Sequence, residues 1–178
     1  NPADYQYRLR YVKILDELVD AETELTELLK LKKDFPRELK PRQLLLAWYE
    51  DASMPLKLAH ERQQLLELFE ENDLQAEEIP QLYEELLSYY RFFQQHEAEE
   101  KLLLRLQKKH PAVKNRLLWL DFLHRQQRHK ELHQAIVSID GKALSTVHSA
   151  YKIAWYGLLS GAHEKALQFV DSALLKFP

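Results

Sequence analysis

Three stretches of the chain close in the same way: LLKLKKDFP at Pro36, LLRLQKKHP at Pro111 and DSALLKFP at Pro178. In each, an apolar-periodic run gives way to lysine, then to an aromatic residue or histidine, then to proline. Lysine suits the negative end of a helix dipole, and a proline just past that end cannot continue the helix. These are helix C-termini of one pattern, and their spacing constrains everything between them. Pro111 and Pro178 lie 67 residues apart, close to two units of about 34. Pro36 and Pro111 lie 75 apart, which suits two units lengthened by loops.

The intervals fill with paired helices. The pattern predicts 4–18 with 21–34, 41–52 with 55–71, 80–94 with 97–109, 112–127 with 129–138, and 146–160 with 163–176. Pro41, Pro55 and Pro80 stand where helices begin, the one place a helix accepts proline without losing a bond. Gly161 and the stretches QQHEA and QQRHK fall at turns, and Gln127 to Gly161 is a step of 34 residues. Leu, Glu, Lys, Gln, Arg and Ala dominate the 178 residues, and these are strong helix formers. Runs of Val, Ile and Thr that strands would need are missing.

Within each hairpin, large residues face small ones. Tyr83, Leu86, Leu87 and Tyr90 share one helix face, as do Ala150, Ile153, Ala154 and Gly157. Leu103 and Leu106, then Leu132, Ile136 and Ile139, then Ala166, Val170 and Ala173 supply the opposing faces. Small residues at such sites let two helices approach toward the close end of the usual 8–10 Å. The last unit resembles the tetratricopeptide repeat (TPR), through Ile153, Ala154, Gly161, Glu164, Ala166, Val170, Ala173 and Pro178. The unit from 80 to 111 resembles it through Tyr83, Leu86, Leu87, Tyr90, Leu103, Leu106 and Pro111, with Glu99 where the family has a small residue. The resemblance implies an all-α, right-handed superhelical array, an α-solenoid of about five antiparallel helical hairpins. Its units are 4–36, 41–74, 80–111, 112–145 and 146–178. First helices of such an array line a concave face that binds peptides or partner domains.

By that resemblance the lining includes Tyr151, Trp155 and Leu158 in the last unit, Lys114, Asp121, His124 and Arg125 before it, and Arg91 and Phe92 before that. Trp, Tyr and Arg dominate binding hot spots, so a partner protein or peptide is the expected ligand. Tyr151 and Trp155 equally suit packing against a further repeat. The family resemblance points to an adaptor segment in a bacterial envelope or secretion assembly. The alternative is an RNA-processing scaffold, since WLDFLHRQQ around Trp119 is similar to the half-a-TPR repeat. A second alternative is a polyanion- or glycan-binding module, through the basic stretch 105–130 (Arg105, Lys108, Lys109, Lys114, Arg116, Arg125, Arg128 and Lys130).

Other chemistry finds little support. A net charge of −3 argues against a general nucleic-acid binder. No apolar run approaches the roughly 20 residues a membrane span needs. His129 and His133 share a helix face, but Lys130 stands where a zinc-protease helix needs glutamate, so no metal is assigned. There is no phosphate loop, nucleophile elbow or cradled carboxylate pair; the chain reads as non-catalytic and without a cofactor. The absence of cysteine leaves a periplasmic or a cytoplasmic setting open. Starting at Asn1 and ending on KFP, the sequence reads as a piece of something longer.

Overall fold

The computed structural model describes residues 2–72, 74–140 and 146–176. Among them are ten helices and no strand: α1 (Pro2–Glu17), α2 (Ala21–Asp34), α3 (Leu39–Asp51), α4 (Pro55–Asn72), α5 (Ile79–Phe92), α6 (His96–Lys109), α7 (Val113–Arg125), α8 (His129–Val137), α9 (Val147–Leu159) and α10 (His163–Lys176). They divide between two compact units, Asn1–Phe93 and Gln94–Pro178. No helix is long and apolar enough to cross a membrane among the described residues.

The recurrent closing motif has one geometry where it is described. Phe35 and His110 end α2 and α6 with φ of −128° and −131°. Each donates its backbone N–H to the carbonyl four residues back, Leu31 and Leu106, at 2.8 Å. Lys32 and Lys33, like Lys108 and Lys109, occupy the last turn as the dipole favours. The third copy, at Phe177 and Pro178, lies outside the described residues.

Turns inside the hairpins share a second geometry. Val19, Ser53, Gln127 and Gly161 all have positive φ. In each, that residue's N–H reaches the carbonyl three back, and the next N–H reaches the carbonyl five back. At the last turn these are Gly161 to Leu158 at 3.2 Å and Ala162 to Gly157 at 2.8 Å. This is the Schellman closure, which satisfies two orphan carbonyls of the preceding helix. Only Gly161 suits the left-handed conformation sterically, and a β-carbon there would meet nothing within 4 Å. Gly161→Ala is therefore expected to cost about 1 kcal/mol through the backbone alone. Val19→Gly is expected to gain about 0.5 kcal/mol, because relief of a β-branched residue exceeds the added unfolded-state entropy. Thermal unfolding of the two variants should move in opposite directions.

In the first unit each helix packs on the next, from α1 through α5. Tyr5 and Val12 of α1, Leu28 and Leu31 of α2, and Leu45 and Tyr49 of α3 form one buried cluster. Glu61 of α4 is buried too, and Arg42 NH1 donates to its Oε1 at 2.9 Å while Lys32 bonds its other oxygen.

In the second unit α7 packs on α6, α8 and α9, while α9 also packs on α8 and α10. A β-carbon built on Gly157 would lie 3.0 Å from Ala166 Cβ and 3.5 Å from the Ala162 carbonyl oxygen. The small residues of this hairpin thus serve close approach of α9 to α10. Along α10 the inward residues are Ala166 and Phe169, whereas Val170 is 42% exposed. The expectation that Val170 faces inward is corrected: Phe169, one residue earlier and larger, takes that place.

Candidate protein-interaction surface

The sequence-derived site residues fall in both units, Arg91 and Phe92 on α5 of the first and the other seven on α7 and α9 of the second. Phe92 is 79% exposed and lies edge-on to Phe93 at 5.0 Å between centroids. Arg91 is half-buried and Lys114 exposed.

Asp121, His124 and Arg125 are engaged within their own unit. Arg125 donates from Nε to Asp121 Oδ2 at 3.0 Å and from NH2 to Glu99 Oε1 at 2.6 Å. Glu99 is fully buried on α6. It sits five residues past the left-handed Gln94, as Ala166 sits five past Gly161. A carboxylate thus replaces the small residue of the last hairpin, and burying it demands a cation. Asp121 Oδ1 accepts from the Tyr156 hydroxyl at 3.2 Å, and the His124 ring lies tilted 5.6 Å from the Tyr156 ring. On α8, His133 Nδ1 donates to the Ser160 carbonyl at 3.1 Å; a carbonyl only accepts, so this nitrogen carries the proton. Asp121, His124 and His133 therefore hold α9 in its seat on α7 and α8.

Burial first, then the Asp121 charge, pushes the Tyr156 hydroxyl up to about 12. In the unfolded chain a phenol ionises near 10. The neutral form is favoured on folding, so its contribution is whole below pH 10 and lost between 10 and 12. Chemical denaturation across that window should show wild type losing stability more steeply than Tyr156→Phe.

The basic stretch is partly consumed by internal pairing. Arg128 grips Glu131 through two bonds of 2.6 and 2.7 Å and reaches Glu100 at 2.7 Å. Its hydrogen bonds to Glu131 and Glu100 hold the guanidinium well above the ordinary arginine range. With Arg125 committed as well, the exposed cations of the stretch include Lys108, Lys109, Lys114 and Lys130. No group of three or more His, Asp or Glu side chains among the described residues is placed to hold a metal.

The second unit also leaves large apolar side chains uncovered. Tyr151, Trp155 and Leu158 line one face of α9, and Leu167, Val170 and Leu174 one face of α10, all exposed. Gln127 and Gly161 mark equivalent turns, so a shift of 34 residues compares the last two hairpins directly. It carries Asp121 onto Trp155, His124 onto Leu158, His133 onto Leu167 and the buried Ile136 onto Val170. The positions that seat α9 on one hairpin are uncovered apolar side chains on the next. Sequence reasoning missed Leu167 and treated Val170 as core; the 34-residue comparison was the available signal.

No protein-family model matches the chain, and no curated protein matches it by sequence. Among solved structures, that of the MamA protein, a tetratricopeptide-repeat protein, aligns with 99% of this chain and 93% of its own, at a TM-score of 0.51 and 14% identity. The fold is TPR-like. The structure of YrrB, described as a TPR protein with an unusual peptide-binding site, aligns with 94% of this chain and 83% of its own, at a TM-score of 0.49 and 14% identity. Five residues past the left-handed turn residue, the other hairpins carry Glu99, Leu132 and Leu58 where the last has Ala166.

Proposed function

We propose that the chain is a non-catalytic protein-interaction scaffold whose α9–α10 face receives a helix from a partner protein. One observation carries this reading. Trp155, Leu158 and Leu167 occupy the positions by which the preceding hairpin holds α9, Val170 adjoins Leu167 on the same helix face, and all four are exposed. Buried apolar surface is the main drive for association, and a large aromatic flanked by aliphatics is the make-up of a hot spot. The contacts it offers are those for an amphipathic helix, laid across two helices as α9 is across α7 and α8. Rigid hairpins present the face without ordering on binding, which limits the entropic cost. On this reading Trp155 and Leu158 work through the face toward a neighbouring hairpin, while Asp121, His124 and Arg125 maintain the scaffold.

A photo-crosslinking residue placed singly at Leu158, Leu167, Lys114 or His148 tests the assignment in cells. Adducts with protein from 158 and 167, lost on Trp155→Glu, are the expected result. Adducts of equal yield from 114 and 148, or none from 158 and 167, would overturn it.

A further inference from the structure

The α9–α10 face has a counterpart in the same chain. On α1, Tyr7, Tyr11 and Ile14 are 72, 40 and 51% exposed, and Leu18, the residue just past its end, is 69% exposed. Their spacing of four, three and four places them on one helix face. Val19 and Gly161 close their helices by the same two hydrogen bonds, which aligns α1 with α9 at a shift of 142 residues. That shift carries Tyr7, Tyr11, Ile14 and Leu18 onto Ser149, Ile153, Tyr156 and Ser160. Ser149, Ile153 and Tyr156 are buried, and Tyr156 and Ser160 make the contacts to Asp121, His124 and His133. The opposite face of α1 follows the same alignment, since Val12 and Leu15 fall on Ala154 and Gly157, all four buried. Thus α1 displays, uncovered, the face by which α9 sits on its predecessor. The α9–α10 pair displays, uncovered, the face on which a successor would sit.

We infer that the helix received on α9–α10 is α1 of a second copy of this chain, docked as α9 docks on α7 and α8. The inference rests on the α9–α10 face being a receptor for a helix. Each of the two surfaces belongs wholly to one unit of its own copy. Ile14 of the incoming copy takes the place of Tyr156, against Trp155 and Leu158; Leu18 takes that of Ser160, against Leu167. An aliphatic partner suits these apolar seats, as a tyrosine hydroxyl suits Asp121. Head and tail are different surfaces, so the contact is heterologous and adds copies in a row.

Sedimentation of the purified chain, alone and as paired variants, decides the matter. Wild type should rise from its monomer mass of 21.2 kDa toward higher multiples with concentration up to about 100 μM. Ile14→Glu spoils only the head and Leu167→Glu only the tail; both sites are exposed, and circular dichroism checks that each variant folds. Either variant alone should remain monomeric. Mixed in equal amounts they should form a dimer and stop there, because one intact head and one intact tail remain. A wild type that stays monomeric throughout, or a mixture in which neither variant finds the other, overturns the second-copy assignment. In that event crosslinks from 158 and 167 to another protein would leave the scaffold reading standing, and their absence would remove it as well.

Discussion

Arg125→Ala is expected to lower the unfolding free energy by about 3 kcal/mol, at the lower end of what stripping a buried carboxylate of its cation costs. Glu99 is fully buried while the Arg125 side chain is about one-third exposed, at 34%. The loss therefore arises at the buried glutamate, which gives up its bond to Arg125 NH2. Glu99→Leu with Arg125→Leu removes both charges and adds apolar volume, so the double variant should return close to wild type. Urea denaturation of the single and double variants reads the difference directly. A single variant within 0.5 kcal/mol of wild type would contradict the burial argument, since that is the range of ordinary surface substitutions. Arg125→Glu would likewise strike the scaffold first, by placing a second carboxylate against Glu99.

Gly157→Val should cost about 3 kcal/mol or more by overpacking. The first added carbon already lies 3.0 Å from Ala166 Cβ, and two further methyls have no room between α9 and α10. Gly157→Ala should come out far milder. Its helix-propensity gain of about 1 kcal/mol offsets much of the strain if the helices yield by a few tenths of an ångström. Pairing Gly157→Val with Ala166→Gly should recover a good part of the loss, measured again by denaturation. Failure of that rescue would show that α9 and α10 are held at their spacing by something other than these two residues.

The hairpin pattern was open to reading because its signals are local. Pro36 and Pro111 sit just beyond helix ends, Pro55 and Pro80 at helix starts, and the step from Gln127 to Gly161 already carries the repeat length. Glu99 shows where local reading stops. By identity it is a mismatch to the repeat, and its bond to Arg125, 26 residues away on the next helix, ties it into the core. Val170 and Phe169 are adjacent, so a period near 3.6 does not choose between them; the closeness of Ala166 to Gly157 sets the rotation of α10 and turns Phe169 inward. Asp121 and His124 would be open on an isolated hairpin. They are covered because another hairpin follows, a fact of stacking order that no single helix records. Trp155 and Leu158 read as exposed from their own helix, whereas Leu167 is legible only when two hairpins are laid over one another.

The hairpins look alike from their turns, yet they are not interchangeable modules. Glu99 on α6 demands a guanidinium from the helix that follows, while Ala166 at the corresponding place on α10 leaves nothing for one to hold. A chimera with α10 grafted in place of α6 would deprive Arg125 of its bond to Glu99 and open a void where the carboxylate had been. Duplicating, shuffling or deleting single hairpins would meet the same obstacle at every joint with its own charge pairing. The order of the modules is thus written into their cores as a lock-and-key code between neighbours.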